Sequence, residues 1–444
     1  MKDKNFKKVI IITVAILSFS QVSMAQDRRL LALQDAIGMS IGNSKQLKAS
    51  KARIDIALAQ VKEAEDNRLP NFSLSSAYLR LNRPTIDLKT KSTSTTGGSA
   101  PVVSSALYGI ANISYPIYEG GRIRYGIESA KYLEEATRLD AENDKEAVIL
   151  NTLNAYANLF RAAATIEVVK ESLASSRERD STFSRLEQNG LLARNDLLKT
   201  ELQTSNLELS LLDAENNWRL ANINMDLMLG LPENTELIVD TNSVKKEYSL
   251  KNMAEYEQLA LQNRKDIQAI SFRKKATAVA IRSANAEGYP SIALTGGYIA
   301  ANIPGFVTIT NAVNVGVGVQ YNLASLWKTN TKLLQAKARQ QELSANEEQL
   351  FDAVRVQVSR DYQNYLLGQK RIEVYQKAFQ QAAENFRITK NKYDNSLSSV
   401  TDLLDADVAL VQAKLNVSLS RADAILSYNK LLYAAGLLTE NTGK

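Results

Sequence analysis

The chain has 444 residues, 45% of them hydrophobic and 23% charged, with a formal net charge of +6 and neither histidine nor cysteine. Lacking both, it has no imidazole base, no thiol nucleophile and no disulfide, which argues against an enzyme and against a bound metal or other cofactor. The mean hydropathy of −0.23 and the absence of a later run of 18 apolar residues exclude a membrane helix beyond the leader. They do not exclude membrane strands, whose alternating faces leave little trace in an average.

Residues 1–25 read as a secretory signal peptide: Lys2, Lys4, Lys7 and Lys8, an apolar run from Val9 to Phe19, then the small-residue exit Ser23-Met24-Ala25. The run is about half the roughly 20 residues a membrane-spanning helix needs. Removing the leader takes four lysines and one aspartate, half of the net charge, and leaves no basic patch of the kind a nucleic acid would require.

A first repeat is expected over residues 26–230. It reads as a helix over 31–68, strands over 71–81 and 106–118, a long helix over 122–189 and a helix over 195–229. Pro70 ends the first helix and opens the first strand, which puts Phe72, Leu74 and Tyr78 on one side. The run Lys91 to Ser99, rich in Ser, Thr and Gly, reads as a long polar loop of the extracellular kind. Pro116 stands near the end of the second strand, where the ladder can stop. From Arg122 to Asn189 there is no proline and no glycine except Gly126, so one helix on the order of 100 Å long is predicted, at roughly 1.5 Å per residue. Its apolar steps, Ile149, Leu153, Tyr156, Phe160 and Ala163, alternate four and three, the coiled-coil rhythm.

Residues 231–256, with the breakers Pro232, Asn234 and Asn242, read as a small side structure between repeats. The second repeat is expected over 257–437, with a helix to 288, strands over 291–300 and 311–323, a long helix over 328–395 interrupted only by Gly368, and a helix over 400–435. Residues 438–444 form a tail. Val313, Val315, Val317 and Val319 alternate strictly with Asn314, Gly316, Gly318 and Gln320. The loop between these strands is placed over Asn302 to Thr310.

The duplication is explicit in the numbering. Pro70 and Pro290, Leu74 and Leu294, and Tyr78 and Tyr298 are 220 residues apart; beyond the first loop the offset becomes 206 and holds from Tyr115 and Tyr321 to Gly230 and Gly436. Four strands of bilayer length cannot close a barrel, and an open edge in hydrocarbon would leave unsatisfied backbone groups costing several kcal/mol each. The barrel must therefore be shared between chains, with eight strands from two or twelve from three.

Several segments together resemble the TolC-like outer-membrane efflux proteins over nearly the whole mature length. They are Leu33-Gln34-Asp35-Ala36-Ile37, Leu69-Pro70, Pro116-Ile117-Tyr118-Glu119-Gly120-Gly121-Arg122, and the tips Gly190-Leu191 to Asp196-Leu197-Leu198 and Tyr393 to Asp402-Leu403-Leu404-Asp405-Ala406. Pro70, Pro116, Gly120, Gly121 and Pro290 then mark the strand and helix junctions. The resemblance implies a mainly α protein with membrane β: a homotrimer whose twelve-stranded barrel sits in outer-membrane lipid and continues as a periplasmic α-helical barrel. It also implies docking of the tips to a periplasmic adaptor served by an inner-membrane pump, with no nucleic acid.

By the same resemblance, Asp402 and Asp405 ring the narrowest point. Being three apart they share a helix face, so three chains would point six carboxylates into one constriction and attract cations. The plainer alternative is a favourable acidic first turn, as Asp196 is in the first repeat. Where the family often carries a basic residue and a glycine, this chain has Ser398 and Ser396; Arg194, with Asp196 and Tyr393, is the candidate for a closing lock. Gly190, Leu191, Leu192, Ser396, Leu397 and Ser398 are the candidate adaptor contact. A trimeric, membrane-anchored coiled-coil spacer without a conduit is the competing reading.

Overall fold

A computed structural model describes residues 28–82, 103–239 and 250–439. The leader, the polar loop around Lys91 and the last five residues lie outside them. The chain divides into two compact units. One, the strand unit, is Lys48–Asn143 with Leu261–Val354; the other, the tip unit, is the described part of Met1–Leu47, Asp144–Ala260 and Arg355–Lys444.

In the strand unit β2 (Asn71–Arg80), β3 (Ser105–Tyr118), β5 (Ser291–Ile303) and β6 (Val307–Gln320) form one antiparallel sheet in the order β2-β3-β5-β6. Its registers reproduce the duplication residue by residue. Asn71 faces Ser114 and Ser291 faces Gln320, so the pairing within each hairpin maps onto the other by the offsets 220 and 206. The apolar alternation becomes a bare face: Phe72, Leu74 and Tyr78 on β2, and Val313, Val315, Val317 and Val319 on β6, are each about two-thirds exposed or more.

Two strand expectations need correcting. The second hairpin runs farther than 291–300 and 311–323 allow, because Ile303 still pairs with Val307 and only 304–306 turn, through Gly305 at φ +76°. Asn302 and Thr308 to Thr310 are therefore in strands, while Tyr321 and Leu323 fall beyond Gln320. At Pro116 the ladder does not stop. It bulges, with Pro116 opposite Ala293 and pairing resumed at Tyr118 and Ile292, since a bulge tolerates the missing N–H.

The leading helices are also not continuous. Residues 28–31 form a strand, β1 (Arg28–Leu31), and the helix expected over 31–68 is two, α1 (Leu33–Asn43) and α2 (Lys45–Asp66). Ser44 sits between them with ψ 119°, its hydroxyl accepting from the Leu47 N–H at 3.2 Å. Its repeat-mate Arg264, with ψ 128°, separates α5 (Met253–Asn263) from α6 (Lys265–Ala286) in the same way. Neither break carries a proline or glycine. Each begins a new helix with a residue in extended conformation, as an N-cap does.

The long helices are α3 (Arg122–Gln188) and α7 (Thr331–Asp394), and the returning ones α4 (Arg194–Leu229) and α8 (Val400–Ala434). α7 starts three residues later than expected. A 3-10 turn occupies Leu323–Leu326, and Asn330 caps the helix by accepting from the Leu333 N–H at 3.0 Å while donating to the Ala284 carbonyl at 3.1 Å. Within the strand unit α3 and α6 are joined by Arg273 with Asp140, Lys265 with Glu142 at 2.9 Å, and the Tyr132 and Phe272 rings at 6.3 Å.

The chain enters α3 through a tight junction. Gly120 has φ +63°, and a Cβ there would lie 2.8 Å from the Ala286 carbonyl oxygen and 2.9 Å from Tyr289 Cβ. Gly121 follows at φ +89° with the Tyr125 ring 3.0 Å from its would-be Cβ. Pro70 and Pro290 stand where α2 and α6 give way to β2 and β5. Pro70, Gly120, Gly121 and Pro290 thus stand at ends of the sheet strands, whereas Pro116 lies within β3 at its bulge.

In the tip unit the described part of the segment between repeats, 231–239 and 250–256, holds a strand that its weak periodicity does not announce, and the breaker Asn242 lies outside the described residues. β4 (Glu236–Val239) pairs in parallel with β1, Arg28 against Glu236 and Leu31 against Val239, and an Arg28 to Glu236 ion pair of 2.7 Å closes one end. Leu31, Leu237, Met225, Leu229, Tyr156 and Leu159 are buried together beneath it. Asn222 of α4 fastens the segment: its Nδ2 donates to the Thr235 carbonyl at 2.6 Å and to Asp226 Oδ2 at 2.8 Å, and its Oδ1 accepts from the Leu237 N–H at 2.9 Å. The tail also takes part, since Leu438 is fully buried and Thr439 donates to Glu146 at 3.3 Å.

Candidate functional site at the two helical tips

The two free turns of the tip unit are built alike. α3 ends with Leu191 N–H donating to the Leu186 carbonyl at 2.8 Å and Gly190 N–H to Glu187 at 2.8 Å; α7 ends with Leu397 N–H to Lys392 at 2.7 Å and Ser396 N–H to Tyr393 at 2.9 Å. This is the double bond that closes a helix through one left-handed residue. Asn189 and Asn395 each add a side-chain bond of 2.7 Å to the carbonyl four residues back. The left-handed positions are Gly190 at φ +72° and Ser396 at φ +59°.

The starts of the returning helices differ. α4 has Ala193 at its N-cap and no side-chain cap bond. α8 has a full capping box: Ser399 Oγ accepts from the Asp402 N–H at 3.1 Å, and Asp402 Oδ2 accepts from the Ser399 N–H at 2.9 Å. The same Oδ2 takes the Ser398 and Ser399 hydroxyls at 3.0 and 2.7 Å. Bonds from Ser399 first, and then Ser398, hold the Asp402 carboxyl below the usual range. Asp405, one turn on, is exposed and has no hydrogen-bond partner among the described residues. The aspartates therefore divide: Asp402 is occupied by the turn and Asp405 is not.

The two tips are packed together. Phe183, Leu197, Val400 and Leu403 are buried in one cluster, with Leu192 and Tyr393 partly buried against it. The Phe183 and Tyr393 rings stack at 5.5 Å and 27°. Burial pushes the Tyr393 hydroxyl up, and the Asp196 and Asp394 charges add to the shift. Asp196 pairs with Lys199 at 3.1 Å, and Lys199 reaches Thr401 of the other tip at 3.3 Å. Farther along, Arg179 and Asp407 form a largely buried ion pair of 2.6 Å.

Of the residues singled out from sequence, Arg194 lies 3.8 Å from Glu187 of its own hairpin, and no ion pair joins it to Asp402 or Asp405 among the described residues. Leu191 and Leu397 stand out as matching apolar knobs, 75% and 76% exposed. Gly190, Ser396 and Ser398 serve the turns, and Leu192 is half turned into the cluster. Phe183 and Lys199 are not singled out by the sequence, and Ser399 figures in it only as the end of the second exposed tip, Asn395 to Ser399. Its capping role is legible as Ser-x-x-Asp ahead of an apolar run, whereas the other two act only once α3, α4 and α8 are side by side.

The Outer membrane efflux protein family model matches residues 36–231 and 257–437. The outer membrane protein TolC of Vibrio cholerae serotype O1 is 24% identical over 410 residues, covering 90% of this chain and 89% of that protein. Among solved structures, the outer membrane protein VceC of Vibrio cholerae is superposable with a TM-score of 0.74 at 20% identity, over 91% of this chain and 96% of that one. The Campylobacter jejuni CmeC outer membrane channel gives 0.75 at 18%, over 91% and 86%. The chain belongs to the outer membrane efflux protein family, as an outer-membrane protein with most of its mass in the periplasm and not as an enzyme.

Proposed function

We propose that the chain is one protomer of a homotrimeric exit duct of a tripartite efflux or export system. It conducts substrates passively from a periplasmic adaptor and an inner-membrane pump to the exterior, and it is gated at the helical tips. The observation that carries this reading is the sheet: four strands of 10 to 14 residues, each long enough to cross a bilayer when tilted, with a bare apolar face and two edges unpaired among the described residues. Such a sheet is tolerable in hydrocarbon only when closed with other copies. Small and polar residues, Asn314, Gly316, Gly318 and Gln320, occupy the alternate positions of β6 and suit a water-filled lumen.

Asp405 is the first choice for the cation-attracting ring, because its carboxylate is uncommitted, while Asp402 shapes the turn that presents it. Leu191 and Leu397 are the adaptor-facing residues, exposed at the two helical tips. Arg194 is available to a neighbouring chain at the cost of its long contact with Glu187.

Single-channel recording in planar bilayers tests the reading. A duct gives small, long-lived steps that divalent cations block from the tip side, and Asp405→Asn relieves the block. Silence under all conditions would favour the anchored spacer. Cysteines at Leu191 and Leu397 that never capture an adaptor would remove the docking assignment.

A further inference from the structure

The two repeats leave the sheet differently. The apolar alternation of the exiting strand runs to Tyr115 and Ile117 in the first repeat and to their mates Tyr321 and Leu323 in the second, all 40% to 58% or 59% exposed. Beyond that point the repeats part. At the offset of 206, Glu119, Gly121 and Arg122 of the first correspond to Ser325, Trp327 and Lys328 of the second.

Each exchange changes the chemistry of the junction. Arg122 is neutralised by Glu119 at 2.6 Å, whereas Ser325 brings no charge, and Lys328 is exposed with no ion-pair partner among the described residues. The nearest acid on the helix end beneath it is already taken. Asn330 donates to the Ala284 carbonyl at 3.1 Å and so seats the start of α7 on the end of α6, where Glu287 pairs with Lys332 at 2.6 Å. In place of the tight turn at Gly121 stands Trp327, 72% exposed at the C-cap of the 3-10 turn Leu323–Leu326.

We propose that this second junction is a binding site for anionic phospholipid of the inner leaflet, with the Trp327 indole among the head groups and the Lys328 ammonium on a lipid of net negative charge. The inference rests on the outer-membrane placement of the sheet and needs no conduction. The level in the membrane follows from the helices: they are periplasmic, so the exit from β6 into α7 lies at the inner face. The band Val313 to Val319, continued by Tyr321 and Leu323, leads directly to Trp327.

An indole, with an apolar body and one N–H donor, suits the boundary between hydrocarbon and water. A lysine beside it keeps its stem against apolar groups while its ammonium reaches the phosphates. In a zwitterionic head group the lipid's own cation neutralises the phosphate, so an uncommitted ammonium favours a net-negative one, by about fivefold per lysine. The first junction, with glycine for tryptophan and a neutralised arginine, lacks both features.

The chain has two tryptophans, and Trp218 packs against the buried cluster of the tip unit. Trp218→Phe therefore leaves Trp327 as the sole reporter. In vesicles of phosphatidylcholine with a minor share of phosphatidylglycerol, bromine on the chains of the glycerol lipid is expected to quench it about five times as effectively, per molecule, as bromine on the choline lipid. Lys328→Gln should abolish the preference while quenching persists. Ser325→Glu, which restores the first repeat's acid at the same spacing of three, should abolish it with the lysine in place. If Trp218→Phe does not fold, the difference between the unaltered chain and Trp327→Phe gives the same reading. Equal quenching by both lipids in the chain with Lys328 would reduce the junction to an aromatic belt blind to head-group charge and overturn the proposal. Quenching by neither lipid would also overturn it, as would competition by soluble glycerophosphoglycerol, which would make the site one for a free phosphate ester.

Discussion

Gly190 and Ser396 stand at the same position of the two repeats, 206 residues apart, and both adopt the left-handed backbone that closes a helix, at φ +72° and +59°. Glycine does so freely, while a residue with a Cβ pays roughly 1 to 2 kcal/mol. Ser396→Gly is therefore expected to stabilise the second tip by about 1 kcal/mol and Gly190→Ala to destabilise the first by a similar amount. Amide exchange of Asn395 to Val400 and of Asn189 to Asp196 measures both; no change at Ser396→Gly would mean that the turn is held by its neighbours and not by its own residue.

The capping box separates the roles of the two tip aspartates. Ser399→Ala removes the acceptor for the Asp402 N–H and should cost about 1 kcal/mol, seen as fraying of the first turn of α8. Asp405→Asn should leave that turn intact. The folded Asp402 carboxyl lies below its unfolded value, so its contribution is present above the ordinary carboxylate range and is lost as the pH falls through the folded pKa. Exchange at the second tip, but not at the first, should therefore rise on acidification below about pH 4; equal rises at both tips would contradict the assignment.

Asp226 is fully buried beside Asn222, with Oδ1 unpartnered. Burial first, and then the Glu233 charge, pushes its carboxyl up to about 6. A raised carboxylate pKa means that ionisation opposes folding: the penalty is absent below the unfolded value near 4, grows as the pH rises, and is complete above about 6. Asp226→Asn should then raise stability at pH 8 by about 1 to 3 kcal/mol, at about 1.4 kcal/mol per pKa unit, and make no difference at pH 4. Thermal melts at the two pH values decide it, and a variant destabilised equally at both would show that the carboxylate is needed for its bond from Asn222.

Gly120 is held by two constraints at once, a positive φ and the approach of Ala286 and Tyr289. Gly120→Ala should cost about 2 kcal/mol or more, because backbone strain and a clash with backbone oxygen add. Gly126, in α3 with nothing within 4 Å of its would-be Cβ, is the control: Gly126→Ala should stabilise by about 0.5 to 1 kcal/mol. Thermal melts of the two variants should move in opposite directions.

Much of the architecture was legible because its signals are local and periodic. The valines of β6, the glycine-poor and proline-poor runs that became α3 and α7, and the 220 and 206 offsets each depend on residues a few positions apart or on one alignment of the chain with itself. The registers then followed the same offsets pair by pair.

What only the tertiary structure decided involves short or distant partners. β1 and β4 are four residues each and meet across 208 positions, too short to carry a period and too far apart to announce a hairpin. The breaks at Ser44 and Arg264 bear no breaker residue and are visible only in the backbone. The end of the second hairpin was set by pairing through Ile303 and Val307, not by the polar look of the loop. Asp402 and Asp405 are alike as letters three apart on a helix. Three donors converge on Asp402 alone, because the turn before α8 folds Ser398 and Ser399 back onto it, and that asymmetry exists only in three dimensions.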